Sequence, residues 1–198
     1  MMRRSLLLIP SLMLALAGSV NATGDDAANS KRKARVFKVE TALASTNEVP
    51  VISSLNASGN FKATLDEDNL TITWELSYQG LEGTPTAAHL HVGQRGVNGA
   101  IPLFLCANAP ALPPVGTLPA QACPAAPATI TGVLTPANII TRAAQGIDGA
   151  TPADFLEIMQ LMRSSNVYAN VHSTKYPAGE IRGQVRRDRP HNSRDSRK

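Results

Sequence analysis

Past residue 22 this sequence has no apolar run approaching the roughly 20 residues a membrane helix needs, so no transmembrane anchor is expected. Nor does it carry a nucleophile elbow, paired carboxylates at catalytic spacing or a phosphate-cradling loop, and it is not expected to be an enzyme. Basic residues interleaved with aromatics are missing too, and with them any expectation of a nucleic-acid partner. Histidine is limited to four residues and cysteine to two. No cysteine follows the first apolar run, which argues against a lipoprotein anchor.

That first run is an export signal in composition. "MMRR" is basic, "SLLLIPSLMLALAG" is apolar, and small residues at Val20 and Ala22 fit a signal peptide over 1–22, with Ala17 as a second cleavage position. The mature chain is expected to be secreted or periplasmic, with room for one domain. In an oxidising compartment, Cys106 and Cys123 bracket a Pro/Ala-rich stretch that reads as a loop, and a disulfide between them is expected. A metal-ligating pair or a redox pair fits worse, since redox pairs usually stand two residues apart.

Charge is segregated. Residues 186–198 hold six basic and two acidic groups, and "KRKAR" at 31–35 holds four more basic ones, whereas residues 36–185 carry seven basic and eleven acidic. The composition predicts an acidic domain between a flexible basic linker at 23–34 and a disordered basic tail at 187–198. The tail could touch anionic surfaces, although a solvated terminus is the plainer reading.

Within the body, period-two alternation dominates. "RVFKVETAL" faces Phe37, Val39 and Leu43 one way; "NFKATL" and "LTITWELSYQ" flank a turn at "DEDN"; "AIPLFLC" and "ATITGVL" add short strands. One helix is predicted over about 152–164, with Thr151 as its cap, Pro152 in its first turn, and Phe155, Ile158, Met159 and Met162 on its apolar face. The fold class is mostly β: an antiparallel β-sandwich or barrel of about seven to eight strands with one short helix.

Two histidines stand one residue apart in "AAHLHV", so His89 and His91 share a strand face opposite Leu90 and Val92. "VYANVHS" puts Tyr168, Asn170 and His172 on the corresponding face, and "GEIRGQV" sends Glu180, Arg182 and Gln184 away from the core. "TKYPAG" joins these last two strands as a hairpin, and if the "HLH" strand neighbours "NVH", three imidazoles meet.

"AAHLHVGQRGVNGAIPLFL" and "VYANVHSTKYPAGEIRGQV", with "LASTNEVP", "ASGNFKATL" and "ITGVL" in support, resemble the chordin-type (CHRD) domain, found in the animal protein chordin and in exported bacterial proteins. The resemblance spans about 35–186 and implies a β-sandwich with an extracytoplasmic role but no reaction. The loop at 106–123 departs from the pattern as an apparent insertion.

Three readings of function follow. The first is a non-catalytic interaction module with an unknown protein or matrix partner, for which Arg95 and Asn98 in the "GQRGVNGA" turn could serve. The second is a metal site of His89, His91 and His172, in which Asn170, Glu180, Arg182 or Gln184 orients the rings. Copper is preferred there, zinc less so, because no thiolate or clear carboxylate joins the set. The third, a copper-zinc dismutase type of enzyme, fails on the count of histidines in the body. His191, in the tail, is not expected to contribute. Arg182 is expected to reach a carboxylate, Glu180 or Glu48.

Overall fold

The computed structural model describes residues 34–114 and 120–188. The expected signal peptide, nearly all of the expected basic linker, the middle of the cysteine-bracketed loop and residues 189–198 of the expected tail, His191 included, lie outside the described residues.

Alternation becomes sheet wherever one face must leave water. Strands β1 (Val36–Ala44), β2 (Ser58–Asp66) and β3 (Thr71–Gln79) pair as an antiparallel meander, with Phe61 opposite Thr41 and Leu76. In β2 and β3 the burial follows the pleat: Phe61, Ala63 and Leu65, then Ile72, Trp74, Leu76 and Tyr78, all point inward. Strands β4 (Pro85–Val92), β5 (Ala100–Ala107) and β6 (Ala128–Leu134) follow. Helix α1 (Pro152–Arg163) comes next, then β7 (Val167–Ser173), β8 (Ile181–Gln184) and a two-residue β9 (Arg186–Arg187).

All these strands join one antiparallel sheet in the order β5-β4-β7-β8-β1-β2-β3-β6, with β9 beside β1. The sheet curls into a nearly closed barrel around a single core, so of sandwich and barrel the chain adopts the barrel-like form. Its seam lies between β5 and β6. Gln121 bridges it: its carbonyl accepts from the Ala107 amide at 2.8 Å, and its side-chain amide donates to Thr131 O on β6 at 2.9 Å. The expected disulfide, Cys106–Cys123, ties the same segment to β5.

Helix α1 forms as its sequence predicts. The Thr151 hydroxyl accepts from the Asp154 amide at 3.1 Å, Pro152 opens the first turn, and Phe155, Ile158, Met159 and Met162 are fully buried. Arg187, expected to belong to the tail, instead joins the sheet: Arg186 and Arg187 pair with Glu40 and Val39, and the Asp188 amide donates to Lys38 O.

The centre of the sheet departs from simple alternation. β7 is buried at every residue and β4 at all but one. One face looks into the barrel through Leu90, Val167, Ala169, Val171 and Ile181. The other, expected to be polar and wet, is polar and dry. The segment 45–56 and the 93–99 turn close over it, tied to each other by Asn98 Nδ2 donating to Val49 O at 3.0 Å. Glu180 and Arg182, read as outward-pointing, are therefore buried on that face.

Candidate metal centre

Strand parity puts His89 and His91 on the covered face, and the β4–β7 register adds the third ring. Asn170 stands opposite His89, Tyr168 opposite His91, and His172 opposite Ala87, two residues before His89. On its other side Asn170 faces Arg182 of β8. The three imidazoles thus meet, each offering one nitrogen within 4.8 Å of the others. They are 5, 7 and 9% exposed for His89, His91 and His172. The Phe104 ring packs edge-to-face with His89, ring centroids 4.2 Å apart, and Tyr168 stacks on His91 with centroids 4.5 Å apart.

The hydrogen bonds dictate where the protons sit. His91 Nδ1 is 2.9 Å from Gly99 O, and His172 Nδ1 is 2.9 Å from Pro177 O. A backbone carbonyl only accepts, so both Nδ1 atoms carry the hydrogen and both Nε2 atoms present lone pairs. These lone pairs converge on Asn170 Oδ1, which lies 3.0 Å from each Nε2 and is itself an acceptor. His89 brings one proton. Placed on Nδ1, it satisfies His172 Nε2 at 3.1 Å and leaves the buried His89 Nε2 unpartnered.

With neutral rings, then, no proton remains for the two contacts to Asn170 Oδ1. Turning the amide over would give both Nε2 lone pairs a donor, but its oxygen would then face the Glu48 carboxyl, so the conflict persists only while Glu48 is ionised. Gly179, at φ 131°, permits this approach: a Cβ there would lie 2.7 Å from Glu48 Oε1 and 2.8 Å from Asn170 Nδ2.

Electrostatics keep the rings neutral. Burial pushes His89 down to about 2, with smaller contributions from His172, His91 and Arg142. His91 falls to about 4, again by burial, which its bond to Gly99 only partly offsets. His172 is held below its ordinary value by the same cause. Glu48 moves the opposite way: burial lifts it to about 7 against the pull of Arg182 and Asn170. With Glu48 ionised, the result is a dry nest of lone pairs short of protons, which a metal cation would satisfy.

Of the residues expected to orient the rings, Asn170 alone touches them. Glu180 accepts from Ser54 Oγ at 2.7 Å and from the Glu82 amide at 2.6 Å. Gln184 ties loops together through Gly93 O, Ser165 O and Val167 O. Arg182 lies 3.3 Å over the Tyr168 ring and donates to Asn98 Oδ1 at 2.9 Å and Val97 O at 2.7 Å. The carboxylate contact expected of it is replaced by these bonds, with Glu48 acting only through its field. Asn98 is thereby a structural tie between two loops, whereas Arg95 remains exposed.

The sequence reading missed the two carbonyls that fix the tautomers, the Phe104 edge and the role of Glu48. Only Tyr168 carried a signal, since its parity with Asn170 and His172 put it on the same face. A cleft of about 1290 Å³ reaches Glu48 and Arg182 but is lined by none of the three histidines. The site is closed, unlike catalytic metal sites that keep a position open for substrate.

No curated protein and no solved structure matches the sequence. Residues 39–185, which include every residue of the histidine cluster, match the family described as the CHRD domain, and the chain belongs to that family.

Proposed function

We propose that this protein is a non-catalytic, extracytoplasmic binding module that holds one transition-metal ion on His89, His91 and His172, copper ahead of zinc. A single observation carries the reading: three buried imidazoles each bring a nitrogen within 4.8 Å of the others around Asn170, and with Glu48 ionised the cluster has too few protons to pair its lone pairs. Nitrogen ligands without thiolate or carboxylate favour copper in the ordinary affinity order of divalent ions. The closed surroundings support holding an ion over turning over a substrate. CHRD membership supports a non-catalytic module, and the Cys106–Cys123 disulfide fits an oxidising compartment.

The test is titration of the purified, tag-free protein with Cu(II), Cu(I) and Zn(II), alongside His89→Ala and His172→Ala. Stoichiometric binding that disappears in both variants, with the fold retained by circular dichroism, is the expected result. If the wild type binds none of these ions better than millimolar, the site is a hydrogen-bonded polar cluster, and the module is left to a protein or matrix partner.

A further inference from the structure

Resting on that reading, we infer that the site selects its ion by charge and takes monovalent cuprous copper in preference to divalent copper or zinc. The first reason is the ligand set. Three imidazoles and an amide oxygen are all neutral, and the cluster contains no carboxylate or thiolate among the described residues. A bound ion therefore keeps its whole charge. Retaining two charges in a dry site costs far more than retaining one.

A second reason is the cover. Three-nitrogen zinc sites commonly complete their shell with water, which zinc turns into a neutralising hydroxide. Here the rings are almost wholly buried, Phe104 and Tyr168 close against two of them, and Asn170 Oδ1 occupies the place between His91 and His172. Little room is left for a hydroxide.

Third, the charged groups acting on the ring nitrogens are positive. Arg142 acts on His89 and Arg182 on His91. Arg182 lies against the Tyr168 ring that stacks on His91, and Arg142 is held by its Nε donating to Ile101 O at 2.9 Å. The nearest acid, Glu48, meets the cluster only through the Asn170 amide, and burial works against its ionisation. A positive charge nearby opposes a divalent ion twice as strongly as a monovalent one, whatever its distance. Both arginines therefore lower divalent affinity more than monovalent affinity.

The experiment is a pair of anaerobic competition titrations on the full-length chain, Cu(I) against bicinchoninate and Zn(II) against a chromophoric chelator. Cu(I) is expected to bind more tightly than Zn(II). Zinc binding as tightly or more tightly overturns the charge selection and leaves the metal site standing. Binding of neither ion removes both. Arg142→Gln should move the affinity ratio toward zinc, while Arg142→Lys keeps the wild-type ratio. A ratio unmoved in both Arg142→Gln and a folded Arg182→Gln also overturns it.

Discussion

Asn170 presents its amide nitrogen to Glu48 and its oxygen to two imidazole lone pairs, and the protonation of this small group sets how the metal-free protein responds to acid. The three histidines sit below their ordinary value of 6.5 in the fold. As pH falls below 6.5 the unfolded chain takes up protons that the folded chain refuses, so their contribution is complete above 6.5 and is lost on the way down. Glu48 has the opposite sign. Raised from 4.5 to about 7, it favours the fold fully below 4.5, and that contribution is lost as pH rises through about 7. With three groups against one, the melting temperature of chelator-treated protein should fall between pH 6.5 and 5, and Glu48→Gln should steepen the fall. Calorimetry across that interval checks it, and a flat or rising profile contradicts it.

One glycine acts at the same scale. A Cβ on Gly99 would lie 1.7 Å from Val92 O, closer than any side chain can stand. Gly99 also supplies the carbonyl that fixes the His91 tautomer. Gly99→Ala should therefore weaken metal binding in a chain that still folds, read by the same competition titration. Unchanged affinity would show that the turn does not set the His91 ring.

At the level of elements, Arg182 ties β8 to the 93–99 turn, and the turn to the 45–56 segment through Asn98. These are bonds from a charged donor that is 2% exposed. Arg182→Ala should cost about 2–4 kcal/mol in urea unfolding, because two turn acceptors lose their charged donor and the Tyr168 ring its stacking partner. Lysine should not restore the loss, since an ammonium cannot both stack on Tyr168 and donate in two directions. A loss below about 1 kcal/mol would mean that the cover over the histidines does not depend on this side chain. Helix α1 offers a milder case. Thr151 accepts from the Asp154 amide and donates to its carboxylate at 2.7 Å, so Thr151→Ala should cost about 1 kcal/mol without touching metal affinity.

For the whole molecule, closure is the vulnerable feature, because β5 and β6 meet through Gln121 and not through a strand ladder. The disulfide holds that segment in place, across a separation of 17 residues. Replacing both cysteines by alanine should lower stability by about 3 kcal/mol on the loop-entropy estimate. Alkylation and mass measurement without reductant should find no free thiol in the wild type, and two would refute the bond. At the other end, a chain ending at Asp188 keeps every described contact of β9, whereas one ending at Val185 loses its pairing with β1. The shorter chain should melt lower, and equal melting would make β9 dispensable.

The strands, the helix with its cap and apolar face, and the shared facing of His89 and His91 are consequences of residue order alone. Side-chain direction in a strand has period two and in a helix 3.6, whatever the rest of the chain does. "VYANVHS" likewise set Asn170 and His172 on one side of β7. What residue order could not decide was which strands became neighbours and what covered them. β4 lies beside β7 across an intervening helix and two other strands, and only that pairing brings His172 to His89. Parity distinguishes two faces of a strand but not wet from dry, so Glu180 and Arg182 read as outward-pointing when loops distant in sequence bury them. The Gly99 and Pro177 carbonyls belong to the backbone and carry no residue signature. Their placement by the folded chain fixes the imidazole tautomers and turns three ordinary histidines into a cluster of lone pairs.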